Sequence, residues 1–136
     1  MARVPDTLDR LAKYLWASPN TALGMLVGVG VLLFGGRVRL VSGVIEFSDG
    51  RLARAFAGAP DSPRICAITF GHAVIGLNEA ELACVRAHEH VHVRQYENWG
   101  PFFLPAYLLS SLWQTLQGRR AYRDNFFERE AYGAKQ

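Results

Sequence analysis

Two long uncharged runs, Tyr14 to Gly36 and Asn98 to Gly118, bracket a middle in which apolar and polar residues change places over short distances. In that middle Val38-Arg39-Leu40-Val41 and Val44-Ile45-Glu46-Phe47 read as short strands separated by Ser42-Gly43, with Ser48-Asp49-Gly50 marking the next turn. Arg51 to Phe56 fits either a strand or a short helix, and Gly58 to Pro63 is loop-like. The runs Ile65 to Phe70 and Ala73 to Ile75 look like strand leading into a longer periodic segment, Glu79 to Trp99, which reads as one helix. In it Leu82, Val85, Ala87, Val91 and Val93 supply the apolar positions, and Glu81, Arg86, Arg94 and Glu97 the charged ones. The pattern predicts an α+β fold. It comprises an N-terminal helix from about Thr7, an apolar helix, a small antiparallel sheet, the Glu79–Trp99 helix, a second apolar helix and a last helix opening near Asp124.

The first uncharged run is most apolar from Ala22 to Phe34, shorter than the roughly 20 residues of a full membrane crossing. Tyr14 and Trp16 are placed like interfacial anchors, and Arg10, Lys13, Arg37 and Arg39 flank the run. Ser18-Pro19-Asn20 is a helix-start signal within it. The run favours membrane association over a buried helix, and it begins too late for a cleaved signal peptide. The second run contains Pro101, Pro105, Ser110, Ser111, Gln114 and Gln117, which suit a packed, interfacial or re-entrant helix.

Composition narrows the classes. At 136 residues the chain is expected to form one domain, with residues 1–36 as the apolar N-terminal segment and 37–136 as the core. Half of its residues are hydrophobic and 20% are charged, an apolar excess for a soluble domain. The net charge of +3 is scattered, which excludes a nucleic-acid footprint and suits an anionic membrane surface. The expected location is membrane-associated or cytoplasmic. Cys66 and Cys84 have neither disulfide nor zinc-knuckle spacing and read as free thiols, Cys84 as a small buried side chain.

The chemistry sits in His88-Glu89-His90-Val91-His92. On a helix, His88 and His92 project from one face about 5–6 Å apart, a separation at which two imidazoles share one metal ion. Glu89 is the acid-base group that metal-assisted hydrolysis requires. His90 points away from that face, and Cys84 and Tyr96 continue it. A catalytic zinc of this kind takes a third ligand, usually a carboxylate from another helix, and Asp124 to Tyr132 supplies Glu128 and Glu130. These two point about 200° apart, so at most one faces the metal. Glu128 also completes a capping box with Asn125, a competing structural role.

His-Glu-x-x-His followed by Glu128-Arg129-Glu130-Ala131 on a later helix resembles the gluzincin zinc metallopeptidases, particularly their small minigluzincin members. The resemblance spans roughly residues 65–132. It implies zinc on His88, His92 and Glu128, Glu89 as general base, a peptide or protein substrate, and an edge strand before the motif helix that binds an extended substrate by main-chain pairing. In that family an aspartate usually follows the alanine and orients the first histidine, whereas this chain has Tyr132. Tyr122 and Tyr132 are the candidate oxyanion donors. His72 fits the cleft rim or a structural role. The alternative class is a non-catalytic, metal-stabilised or membrane-scaffolding protein.

Overall fold

A computed structural model describes residues 7–56 and 67–133. The fold is α+β: α1 (Thr7–Leu33), β1 (Arg37–Val41), β2 (Val44–Ser48), α2 (Gly50–Phe56), β3 (Ala67–Phe70), β4 (Ala73–Gly76), α3 (Glu79–Trp99), a 3-10 turn (Gly100–Phe102), α4 (Phe103–Leu116) and α5 (Phe126–Tyr132). The expected loop at Gly58 to Pro63 and Cys66 lie outside the described residues.

Three expectations change. The sheet is mixed, not antiparallel: its order is β1-β2-β4-β3, with antiparallel outer pairs and a parallel β2·β4 pair at the centre. The cause is visible in β4, whose four residues Ala73-Val74-Ile75-Gly76 are all buried. A strand apolar on both faces belongs in the middle of a covered sheet, where parallel pairing is common. The stretch read as one strand before α3 is thus a hairpin, β3 and β4, turning at Gly71-His72.

The two helices expected in the N-terminal third are one, since α1 runs through Pro19. Proline has no N–H for the Leu15 carbonyl four residues back, a loss that normally kinks or ends a helix. Here the Ser18 hydroxyl donates to that carbonyl at 2.7 Å, and the helix continues.

The core has two sides. Against one face of the sheet α1 packs Val31 with Phe47, Ala73 and Ile75; against the other α3 packs Leu82 and Val93 with Val44 and Val74. Gly24 and Gly28 make the α1 contact possible, because a Cβ at either would collide with Phe70 and Ala73 or with the Phe47 ring. α3 ends at Gly100, whose φ of 56° is the left-handed conformation that glycine adopts freely and against whose Cα the Trp16 indole lies. The uncharged segment after it folds back as α4, and α5 then returns to pack on α3 and α4.

Candidate metal centre

α3 begins where the Asn78 side chain accepts from the Glu81 N–H at 2.8 Å, an N-cap that fixes the phase of the helix. That phase turns His88, Glu89 and His92 inward, at 5%, 7% and 7% exposure. α5 is set by Asn125, which is fully buried. Its Oδ1 accepts from the Phe127 N–H at 2.9 Å, while its Nδ2 donates to the Tyr107 carbonyl and the Ser111 hydroxyl. Asn125 therefore caps α5 unaided, and its own N–H goes to the Tyr122 carbonyl. Glu128 forms no capping box; its carboxylate is left to face α3.

His88, His92 and Glu128 converge, with one donor atom of each within 4.8 Å of the others. His88 Nε2 is 3.2 Å from Glu128 Oε2 and 3.2 Å from His92 Nε2, and His92 Nε2 is 2.8 Å from Glu128 Oε1. Ligand bonds of about 2.0–2.1 Å on a tetrahedral ion set donor atoms about 3.3 Å apart. The three donors thus stand close to the corners of such a tetrahedron. This buried group can hold a metal ion.

The tautomer of His92 supports ligation. Gln95 Nε2 donates to the Phe127 carbonyl at 3.0 Å and to Glu130 Oε1 at 2.9 Å, both pure acceptors, which fixes the orientation of the amide. Gln95 Oε1, 2.8 Å from His92 Nδ1, must then accept the Nδ1 proton. Nε2 is left facing the donor group. Glu130, the other candidate ligand, belongs to this relay, so of the two carboxylates Glu128 is the one that faces the histidines. Position 132, where the resemblance has an aspartate, presents the Tyr132 ring edge-on to His88 at 4.4 Å between centroids.

Electrostatics couple the group. Burial pushes the Glu128 carboxyl up, but hydrogen bonds from His88, His92 and Tyr122 outweigh it and hold the carboxyl down at about 2. Burial likewise pulls His92 down, and its contact with Glu128 outweighs this and raises it. A proton on His92 Nε2 thus occupies the place where a metal would bind. Tyr107 from α4 donates to Glu128 Oε1 at 3.1 Å, and burial beside that carboxylate raises its phenol. The Tyr132 hydroxyl donates to that of Tyr122, which also reaches Glu128, so both tyrosines expected near the site are at its rim.

Glu89 is held from the sheet: the Thr69 hydroxyl donates to its Oε2 at 2.7 Å, and Tyr96 donates to the Thr69 carbonyl. His72 is buried elsewhere, stacked on Tyr14 and 3.3 Å from Glu97, which gives it the structural role. His90 meets Glu46, itself clasped by Arg86, on the side of α3 away from the donors. Cys84 is exposed, contrary to expectation. In that part of α3 the buried residue is Leu82, and two residues on along a helix faces roughly the opposite way.

Gln95, Tyr107 and Thr69 were not singled out by the sequence reading. Gln95 carries a local signal, a polar side chain three residues after His92 on the same helix. Tyr107 and Thr69 arrive from elements distant in sequence. No protein-family model, curated protein or solved structure matches this chain, so the identity of the centre rests on its own donors and their surroundings.

Proposed function

We propose that the protein is a gluzincin-like zinc metallopeptidase. The observation that carries this reading is the convergence of two Nε2 atoms and one carboxylate with Glu89 one residue from a ligand. Two imidazoles and a carboxylate are the donor set of catalytic zinc, and they leave a coordination position for substrate or water. A bound zinc supplies Lewis acidity toward a peptide carbonyl and acidifies water.

The remaining work falls to the chain. Glu89, anchored at Oε2 by Thr69, takes the proton of the attacking water and returns it to the leaving amine. The phenols of Tyr107 and Tyr122 donate to Glu128 and so orient the carboxylate that would hold the metal. β3 is the edge strand next to α3 and carries Thr69, a placement that suits main-chain pairing with an extended peptide.

The burial of all three ligands favours one second reading, a metal that serves folding alone. That reading needs a fourth protein ligand. His72 is committed to Glu97 and the Tyr132 hydroxyl to Tyr122, so neither of the expected candidates joins the group.

The test measures metal content and cleavage of a complex peptide mixture for the wild type, Glu89→Gln and Glu128→Ala. About one zinc per chain in the first two, cleavage only by the wild type, and no zinc in Glu128→Ala are expected. Full cleavage by zinc-loaded Glu89→Gln would overturn the mechanism. A zinc-loaded wild type that cleaves nothing while zinc removal unfolds it would establish the structural reading.

A further inference from the structure

α1 carries two opposite stripes. Ala17, Asn20, Gly24, Gly28 and Val31 are buried against the body, and Leu8, Leu11, Leu15, Leu26, Val29 and Leu33 lie on the far side, each at least half exposed. At 100° per residue the second set is centred opposite the first. A surface helix of a water-soluble protein places charge on that outer face; here every charged residue of α1 lies at or before Lys13, and none is on the outer stripe.

The sheet continues the apolar surface. Val38 and Leu40, 53% and 72% exposed, pair with Phe47 and Ile45 and therefore share the α1 face, while Arg37 and Arg39 point to the α3 face. α4 adds Leu108, Leu109, Leu112, Trp113 and Leu116, all more than half exposed. Trp16 packs on Phe102 with ring centroids 6.0 Å apart and joins the first helix to the start of α4. Basic residues stand at the ends of the two helices, Arg10 before the apolar part of α1, and Arg119 and Arg120 after α4. An apolar face with arginines at the ends of its helices and Trp beside them matches the interface of an anionic bilayer.

We propose that this protein seats itself in one leaflet of an anionic membrane, with the outer face of α1 and the exposed face of α4 immersed and α1 lying in the membrane plane. By length and hydropathy α1 qualifies to cross a bilayer. Its inner stripe rules for the other orientation. Along its length α1 is fixed to the body: Tyr14 donates to the Gly43 carbonyl, Asn20 to the Gly100 carbonyl, and Thr21 accepts the His72 N–H. An upright α1 would carry this body, with the exposed Arg94 and the His72–Glu97 pair, to bilayer depth, where charged groups are strongly unfavourable.

The experiment is flotation of the full chain with phosphatidylcholine vesicles, with and without 30% phosphatidylglycerol (about one anionic lipid in three), beside Leu15→Asp/Leu26→Asp and Leu109→Asp/Leu112→Asp. Expected are co-flotation favoured by the anionic lipid, and at least a tenfold loss in each double variant with helical content unchanged, since all four leucines are exposed. Spin labels at Leu11, Leu26 and Leu33 should report similar shallow depths from one side. Failure of the wild type to float, flotation of the α1 variant at the wild-type level, or a depth profile deepest at Leu26 with the ends on opposite surfaces would each overturn the proposal. A soluble dimer that shields the labels without binding lipid would assign the face to a second copy instead. Zinc content, measured on the same samples, keeps this result separate from that for the metal centre.

Discussion

Replacing Gln95 by leucine isolates the support of one ligand without touching the donors. The amide makes three buried contacts, with His92 Nδ1 at 2.8 Å, the Phe127 carbonyl at 3.0 Å and Glu130 Oε1 at 2.9 Å. At about 1 kcal/mol each, and more where a buried group is stranded, their loss should cost about 2–4 kcal/mol of stability. For the metal, loss of a partner that orients a histidine typically lowers affinity about 10–100-fold. Competition against a chromophoric chelator measures that change, and the Nδ1–H proton resonance of His92 in the zinc-loaded protein reports the orientation directly. Gln95→Leu should weaken zinc at least tenfold and lose that resonance. Glu130→Gln, which keeps an acceptor for the amide, should change affinity less than about threefold. Zinc binding by Gln95→Leu at wild-type strength would refute the relay.

The metal-free protein should show a pH optimum. With its folded value held at about 2, Glu128 contributes stability that is present above its unfolded value and lost as pH falls toward 2, at most about 3 kcal/mol. The raised His92 contributes below its unfolded value and loses that contribution as pH rises through the folded one. Urea titrations from pH 2 to 9 should therefore lose their acid limb in Glu128→Gln, and zinc uptake should strengthen as His92 gives up its proton. Gly28→Ala forces a methyl into the Phe47 ring and should cost about 1–2 kcal/mol even after the gain in helix propensity. Gly30→Ala meets only the end of Leu52 at 2.9 Å and should be neutral or stabilising in the same thermal melts. Asn125→Ala removes the α5 cap and two bonds to α4, and should cost about 2–4 kcal/mol together with zinc affinity.

What the sequence made legible was local. The extent of α3 follows from the spacing of Leu82, Val85, Val91 and Val93 among charged positions, and the pairing of His88 with His92 follows from that helix. That Glu128 would reach them required only that the run from Asn98 return the chain, which its prolines and polar residues allowed. The sheet order was hidden because a four-residue apolar run reads alike in parallel and antiparallel pairs. The continuity of α1 depended on a single hydroxyl beside a proline. Tyr107 and Thr69 met the centre through tertiary packing, and neither position stands out in its own segment.

The polar bonds along the inner side of α1 also bear on what can be cut away. By composition the first 36 residues look like a detachable anchor, yet the helix works as a splint, tied by Tyr14, Asn20 and Val31 to the strands and the start of the next helical segment, with Leu52 of α2 beside it on that side of the core. A chain beginning after Gly36 would expose Phe47, Ala73 and Ile75 to water and leave the His72 amide without its acceptor. The proposed membrane face and the metal centre would therefore be lost or kept together, and a less apolar form of this protein has to be sought by recolouring the outer face of α1, not by removing the helix.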